Sequence, residues 1–270
     1  YPAVYRLSFS GLTLPGQYRV KLLSPAPASS PGFIVGNGTQ LYRELVDNSV
    51  RYFTSERDGP DVVSSVLNRQ PANLTDKKAY VYADPRYDSN DNLLGTLKKT
   101  GGPVDVSGGW FDAGGGYEKF GYTASYADAL MLLAARDYPN SYDMLQQEAA
   151  FGLQWVTKLW DPARKVLYAQ VGIGTGNASN TIQGDYNFWF LPQQEDRMNV
   201  KPGGNPGPSA YYVKYRPVFP AAPPGQKVSP NLAGRFAADF ALGAQLAASS
   251  DPASAALVGA CRGSNATPDE

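Results

Sequence analysis

Hydrophobic and polar positions change period near residue 37. Before it, Val4-Tyr5-Arg6-Leu7-Ser8-Phe9 and Gln17-Tyr18-Arg19-Val20-Lys21-Leu22 alternate with period two, linked through Gly11 and Pro15-Gly16, which predicts strands. Gly32-Phe33-Ile34-Val35 adds a third short strand. Three strands cannot bury both faces of a sandwich, so this segment reads as the end of a larger β-module.

Beyond residue 37 the period is helical. Leu41, Leu45, Val46, Val50 and Phe53 share one face, with Thr39 as the expected N-cap. A second helix is predicted from about Thr123 to Arg136, stopped by Pro139. A third runs from about Ser141 to Trp160, with Leu145, Ala149, Leu153, Val156 and Trp160 at helical spacing. Ser229-Pro230 and Asp251-Pro252 each set a capping residue before a proline at the first helical position. They open a fourth helix, carrying Leu232, Phe236, Phe240 and Leu246, and a fifth over Ala255–Ala260. Residues 57–121 and about 161–228 read as loops rich in glycine and proline. Connections longer than about 15 residues are uncommon, and these hold most of the aromatics, which favours function. The body is therefore expected to be mainly α, with helices arriving in pairs as in a helical toroid.

Composition narrows the chemistry. Lysine plus arginine equals aspartate plus glutamate at 24 each, so neither nucleic acid nor a membrane surface is an expected partner. No apolar run approaches the ~20 residues of a membrane-spanning helix. Tyr1-Pro2-Ala3-Val4-Tyr5 lacks the features of a signal peptide, so export would require one upstream. The lone Cys261, among alanine and glycine, reads as buried filler. The absence of histidine removes Ser-His-Asp and Cys-His catalysis and every histidine-bearing zinc site. Hydrolytic acid–base work then falls to carboxylates. The 18 tyrosines suit stacking on the flat faces of sugar rings.

The densest motif is Asp105-Val106-Ser107-Gly108-Gly109-Trp110-Phe111-Asp112-Ala113-Gly114-Gly115-Gly116-Tyr117-Glu118-Lys119-Phe120. Glycines permit tight bends and close ligand approach, and they leave Asp112 near a helix start, where backbone N–H groups favour a carboxylate. A plain glycine-rich turn whose aspartate caps a helix fits the same residues.

The motif resembles the glycine-glycine-tryptophan and aspartate-alanine-glycine-aspartate signature of family 9 glycoside hydrolases, the cellulase type. Lys119-Phe120 and the Thr-Ala-Ser-Tyr-Ala-Asp helix follow it as in that family. Leu41-Tyr42-Arg43-Glu44-Leu45 through Phe53, Glu56-Arg57-Asp58-Gly59, Gln154-Trp155, Val166–Gly172, Arg216-Pro217 and Ser229–Ala237 agree in order. The resemblance implies an (α/α)6 toroid of the six-hairpin type, here incomplete. It places the close of an immunoglobulin-like module at residues 1–36 and the N-terminal part of the hydrolase domain at 37–270. It implies inverting hydrolysis of β-1,4-glucans such as cellulose, by two carboxyl sites spaced for a water. Asp112 takes the place of the aspartate that holds the water; Trp110, Tyr117, Asp185 and Trp189 line the cleft. Trp155 and Trp160 are expected in the core. A secreted monomer acting on polysaccharide is expected, with no required cofactor and with structural calcium as an option at Asp84, Asp88 and Asp91.

The chain departs from the family pattern in three places. Gly115 or Gly116 stands where the second aspartate, the expected base, belongs. Three readings are open: Asp112 shifts inward and acts as base, Glu118 substitutes, or the protein binds glycans without efficient hydrolysis. Tyr186 stands in Gln183-Gly184-Asp185-Tyr186-Asn187-Phe188-Trp189 where the family commonly has histidine. The expected acid, a glutamate, does not appear before Glu270; Glu195, Asp196, Asp269 and Glu270 read as solvated charges. The 270-residue chain is expected to be a piece of a longer hydrolase and inactive alone. Asn37, Asn73, Asn177 and Asn265 each open an N-glycosylation pattern.

Overall fold

A computed structural model describes residues 6, 8, 10–113, 116–138, 143–200 and 209–248. Most of the predicted strand over Val4–Phe9, and all of the helix over Ala255–Ala260, Cys261 and the pattern at Asn265, lie outside them. The chain divides into two compact units, 1–49 and 50–270.

In the first unit lie β1 (Gly16–Tyr18), β2 (Lys21–Leu22), β3 (Ala28–Ser29) and β4 (Phe33–Val35). β1 pairs antiparallel with β4, and β2 with β3. The predicted Gln17–Leu22 strand is thus split in two, and between its halves Val20 N–H donates to Ser30 Oγ at 2.9 Å. Helix α1 (Gly38–Ser55) follows. Its cap is Asn37 rather than Thr39: the Asn37 side-chain oxygen accepts the Thr39 N–H at 2.8 Å, which places Thr39 inside the first turn.

The second unit adds β5 (Ala79–Tyr82), β6 (Lys99–Val104), β7 (Lys119–Phe120), α2 (Gly121–Asp137) and α3 (Asp143–Lys158). β8 (Trp160–Asp161), β9 (Val166–Val171), α4 (Tyr211–Lys214), β10 (Pro217–Pro220) and α5 (Pro230–Ala248) complete it. Helix α2 buries Ala124, Asp128, Met131, Leu132 and Ala135, one face at helical spacing, and packs on both α3 and α5. Leu132 on α2, Leu153 and Val156 on α3 and Phe236 on α5 are all buried. The fold is mainly helical with short strands, and no described helix is long and apolar enough to cross a membrane.

The two predicted loops are not structureless. They supply one six-stranded sheet, ordered β6-β5-β10-β9-β7 with β8 on β9. β10 runs parallel to β5, while its pairing with β9 and the others are antiparallel. The strands are short and their partners distant in the chain, so local alternation carries little of the signal. Tyr82, Tyr211, Tyr212 and Phe219 pack there with Leu93, Leu97, Ile173 and Ile182. Trp160, predicted to end the third helix, instead starts β8 and is half-buried; Trp155 is core, 1% exposed.

Candidate active site

The glycine-rich motif is held by a paired segment and by buried charge. Arg57 and Trp110 form an antiparallel bridge, with Phe111 N–H donating to Glu56 O at 2.9 Å and Asp58 N–H to Gly109 O at 2.8 Å. Gly109 has φ +79°, and a Cβ there would overlap the Trp155 indole, so two independent reasons require glycine.

Beneath this turn lies a four-member ion cluster. Lys119, on β7, reaches Asp58 at 2.7 Å and Asp76 at 2.9 Å, all three without side-chain exposure. Its ammonium also donates to Gly108 O (2.7 Å) and Val106 O (3.0 Å). Arg216, beside β10, pairs with the same two aspartates and donates to Tyr117 O. Burial pushes the Asp58 carboxyl upward, but Lys119 and Arg216 outweigh it and leave Asp58 below the ordinary range. Burial lowers Arg216 in turn, yet Asp76 and Asp58 hold it well above its usual value. Asn73 adds a side-chain bond to Asp58 at 3.2 Å. It is fully buried in left-handed backbone, φ 52°.

Asp112 sits on the exposed rim of this scaffold. Its N–H donates to Glu118 O at 2.9 Å, and its carboxylate accepts from Thr123 Oγ1, in the first turn of α2, at 2.9 Å. Glu118 is 5% exposed and accepts from Gln170 Nε2 at 3.2 Å. Burial lifts its carboxyl, bonds from Tyr186 and the Gly174 N–H lower it, and the nearby Asp112 raises it again. Glu56, half-buried, is raised by burial and partly restored by Arg69.

The other sequence-predicted site residues fall in different surroundings. Trp110 is 3% exposed; its N–H donates to Glu148 at 2.7 Å and its ring meets Phe53 edge-on at 5.3 Å. That places it in the core, supporting the turn from beneath, with almost no face left for a sugar. Tyr117 packs on Phe111 at 4.8 Å and gives its hydroxyl to Phe190 O at 2.6 Å. Asp185 is 3% exposed; burial, eased by Arg216 and worsened by Glu118, pushes it up to about 8. Trp189 is 89% exposed. The structure thus gathers Asp112, Glu118 and Tyr186, while Trp110 and Asp185 lie beneath the surface.

Sequence reasoning missed several buried carboxyls. Glu195 is not solvated: it is 1% exposed, and burial together with Asp185 pushes it up to about 10. The reason is tertiary, since the turn Pro192–Arg197 folds over the ion cluster's edge. Asp128 on α2 and Asp239 on α5 are both 0% exposed, and none of their oxygens has a hydrogen-bond partner among the described residues. Burial raises both, Asp128 further through the charges of Asp239 and Glu148, and Asp239 to about 8. The only advance signal was their position on the apolar face of their helices.

Among the described residues no group of three or more His, Cys, Asp or Glu side chains is arranged to hold a metal ion. Of the possible calcium ligands, Asp88 accepts bonds from Asn90 and Asn92 and so closes its own turn.

The chain is similar in fold to the GH family 9 endoglucanase J30: TM-score 0.56, 22% identity, covering 92% of this chain and 41% of that one. A Bacteroides ovatus GH9 structure gives TM-score 0.52 and 20% identity, over 95% and 42% of the two chains. An endoglucanase from the termite Nasutitermes takasagoensis gives TM-score 0.52 and 18% identity, over 82% and 41%. The chain thus spans about two-fifths of the length of these structures. No curated protein matches it. The model of glycosyl hydrolase family 9 matches residues 42–260, and the chain therefore belongs to that family.

Proposed function

We propose that this chain is the first part of an inverting glycoside hydrolase domain acting on β-1,4-glucan, cellulose or a related plant polysaccharide. The observation that carries this is Asp112: an exposed carboxylate on a glycine-rich turn, fixed at the start of α2 by Thr123 and backed by an ion cluster that does not reach solvent. In the two-carboxylate scheme such a group orients the attacking water, and a carboxylic acid on the opposite side protonates the leaving oxygen. Trp189, almost wholly exposed, is the stacking face for a glucosyl ring; Tyr117 supports the wall below it.

The paired short strands before residue 37 fit the close of an immunoglobulin-like module, with 37–270 as the start of an incomplete (α/α)6 toroid. The proposal includes a secreted monomer that needs no cofactor, with a structural calcium as an option; the balanced charge argues against nucleic acid or a membrane surface as its partner. In this reading the 270-residue chain releases no sugar alone, and turnover from it overturns the division of labour. The decisive measurement is reducing-sugar release by the complete hydrolase domain, with Asp112→Ala expected to lose roughly 10²–10⁴-fold. An unchanged rate refutes the role of Asp112.

Glycine, at 115 or 116, standing where an aspartate is expected, favours one alternative: a glycan-binding protein with little or no turnover. Trp189→Ala then abolishes binding to β-glucan while no length of the protein hydrolyses it.

A further inference from the structure

Gly116 and Tyr186 are spatially coupled. A Cβ on Gly116 would lie 2.6 Å from the Tyr186 ring on one side, and a Cβ on Gly174 would lie 2.5 Å from it on the other. The ring is slotted between two glycines, anchored by Tyr186 N–H donating to Gly174 O at 2.9 Å. The same hypothetical Gly174 Cβ would meet Glu118 Oε2 at 2.5 Å, so ring and carboxyl share one niche. The Tyr186 hydroxyl lies near enough to lower the Glu118 carboxyl and to be raised by it in turn, and Asp112 is close enough for its charge to bear on both. Tyr186 is 64% exposed while Glu118 is 5% exposed. A hydroxyl at the surface therefore connects to a carboxyl sealed behind it.

We propose that Tyr186 and Glu118 form a proton-accepting couple beside Asp112, and that position 116 is glycine because the tyrosine ring occupies the room a side chain there would need. The inference rests on the hydrolase reading above. As water oxygen bonds to the anomeric carbon and the glycosidic C–O bond breaks, the water proton passes to Tyr186 Oη. The proton of Tyr186 passes to Glu118 at the same time, and the departing sugar oxygen takes its proton from the carboxylic acid that the two-carboxylate scheme requires. Tyrosine is a relay here rather than a base, since burial and the charge of Glu118 push its own ionisation up to about 12. Glu118, a carboxylate before the step, is the resting place of the proton, and burial strengthens its hold on it. The groups around it are Gln170 on β9, the Gly174 N–H, Tyr186, Asp112, Arg216, Tyr87 and Asp185.

Carbon-13 NMR titration of the Glu118 carboxyl in this chain tests the couple without needing turnover. Tyr186→Phe removes a donor to the carboxylate, so the Glu118 pKa rises, by roughly 0.5–1 unit; no movement overturns the couple. Gly116→Ala lowers the melting temperature in the native background and not in Tyr186→Ala; additive effects overturn the packing half. In a length of the protein that hydrolyses β-glucan, Glu118→Gln and Tyr186→Phe each reduce kcat by about 10²-fold or more. Tyr186→Phe also moves the acid limb of the pH profile upward with Glu118. Unaffected turnover sinks this inference alone and leaves the hydrolase reading standing. An intact couple in a protein that never hydrolyses glucan sinks the hydrolase reading, and the relay with it.

Discussion

Two clusters of carboxyls are buried to the same depth in this molecule and are handled in opposite ways. Asp58 and Asp76 face Lys119 and Arg216, two acids against two bases, with backbone carbonyls taking further ammonium and guanidinium protons. Asp128 and Asp239, where α2 meets α5, have no cation among their described partners. Glu148, whose charge also bears on Asp128, is committed to Arg57, Thr54 and Trp110. Countercharge keeps Asp58 below its usual range, whereas desolvation lifts Asp128 and Asp239 above theirs. Burial alone does not decide the charge of a carboxyl; what faces it does.

The largest effect should come from breaking the balanced cluster. Arg216→Met leaves two aspartates sharing one lysine, and a buried pair broken from one side costs about 3–5 kcal/mol, read as a lower urea midpoint. A smaller effect, of opposite sign in pH, should come from the other cluster. Burial pushes Asp239 up to about 8 from an ordinary 3.8, so the folded state holds the extra proton between those values. Its contribution is fully present below about pH 4 and is lost as pH rises through about 8. Asp58, held low, acts the other way: its contribution is lost as pH falls below the ordinary carboxyl range. Asp239→Asn should therefore stabilise the protein at pH 8 and do little at pH 4. Melting temperatures at the two pH values check this; equal shifts at both would remove the distinction between the clusters. The smallest change should follow Arg164→Ala. Its pair with Asp161, at 2.7 Å, leaves the arginine side chain 69% exposed, and solvent screens such a pair so that its loss barely moves the melting temperature. A large loss there would mean that exposure is not what separates strong pairs from weak ones.

Helices were legible wherever side-chain periodicity and local caps agreed. Ser229-Pro230 marked the start of α5, which runs from Pro230, because proline at the first turn is a local device. The sheet was not legible. β6 contains Gly101, Gly102 and Pro103, which read as breakers, and β10 meets β5 only after more than a hundred intervening residues. Lys119 and Arg216 were visible as parts of motifs, but not as partners of the same two aspartates. Their meeting depends on strand order, which no local pattern encodes. Asp112 was conspicuous from its glycines; Glu118 stood among the open readings as a substitute base, but its place behind Tyr186 was not legible.

Asn73 has a consequence for how the protein can be made. Its amide nitrogen, the atom to which an oligosaccharide would be attached in Asn73-Leu74-Thr75, is the one that reaches Asp58 in the sealed interior. A sugar added there while the chain is still emerging would have to stand where the ion cluster closes. Yeast or mammalian secretory hosts should therefore yield poorly folded material unless that threonine is replaced, whereas a bacterial host without the transferase should not.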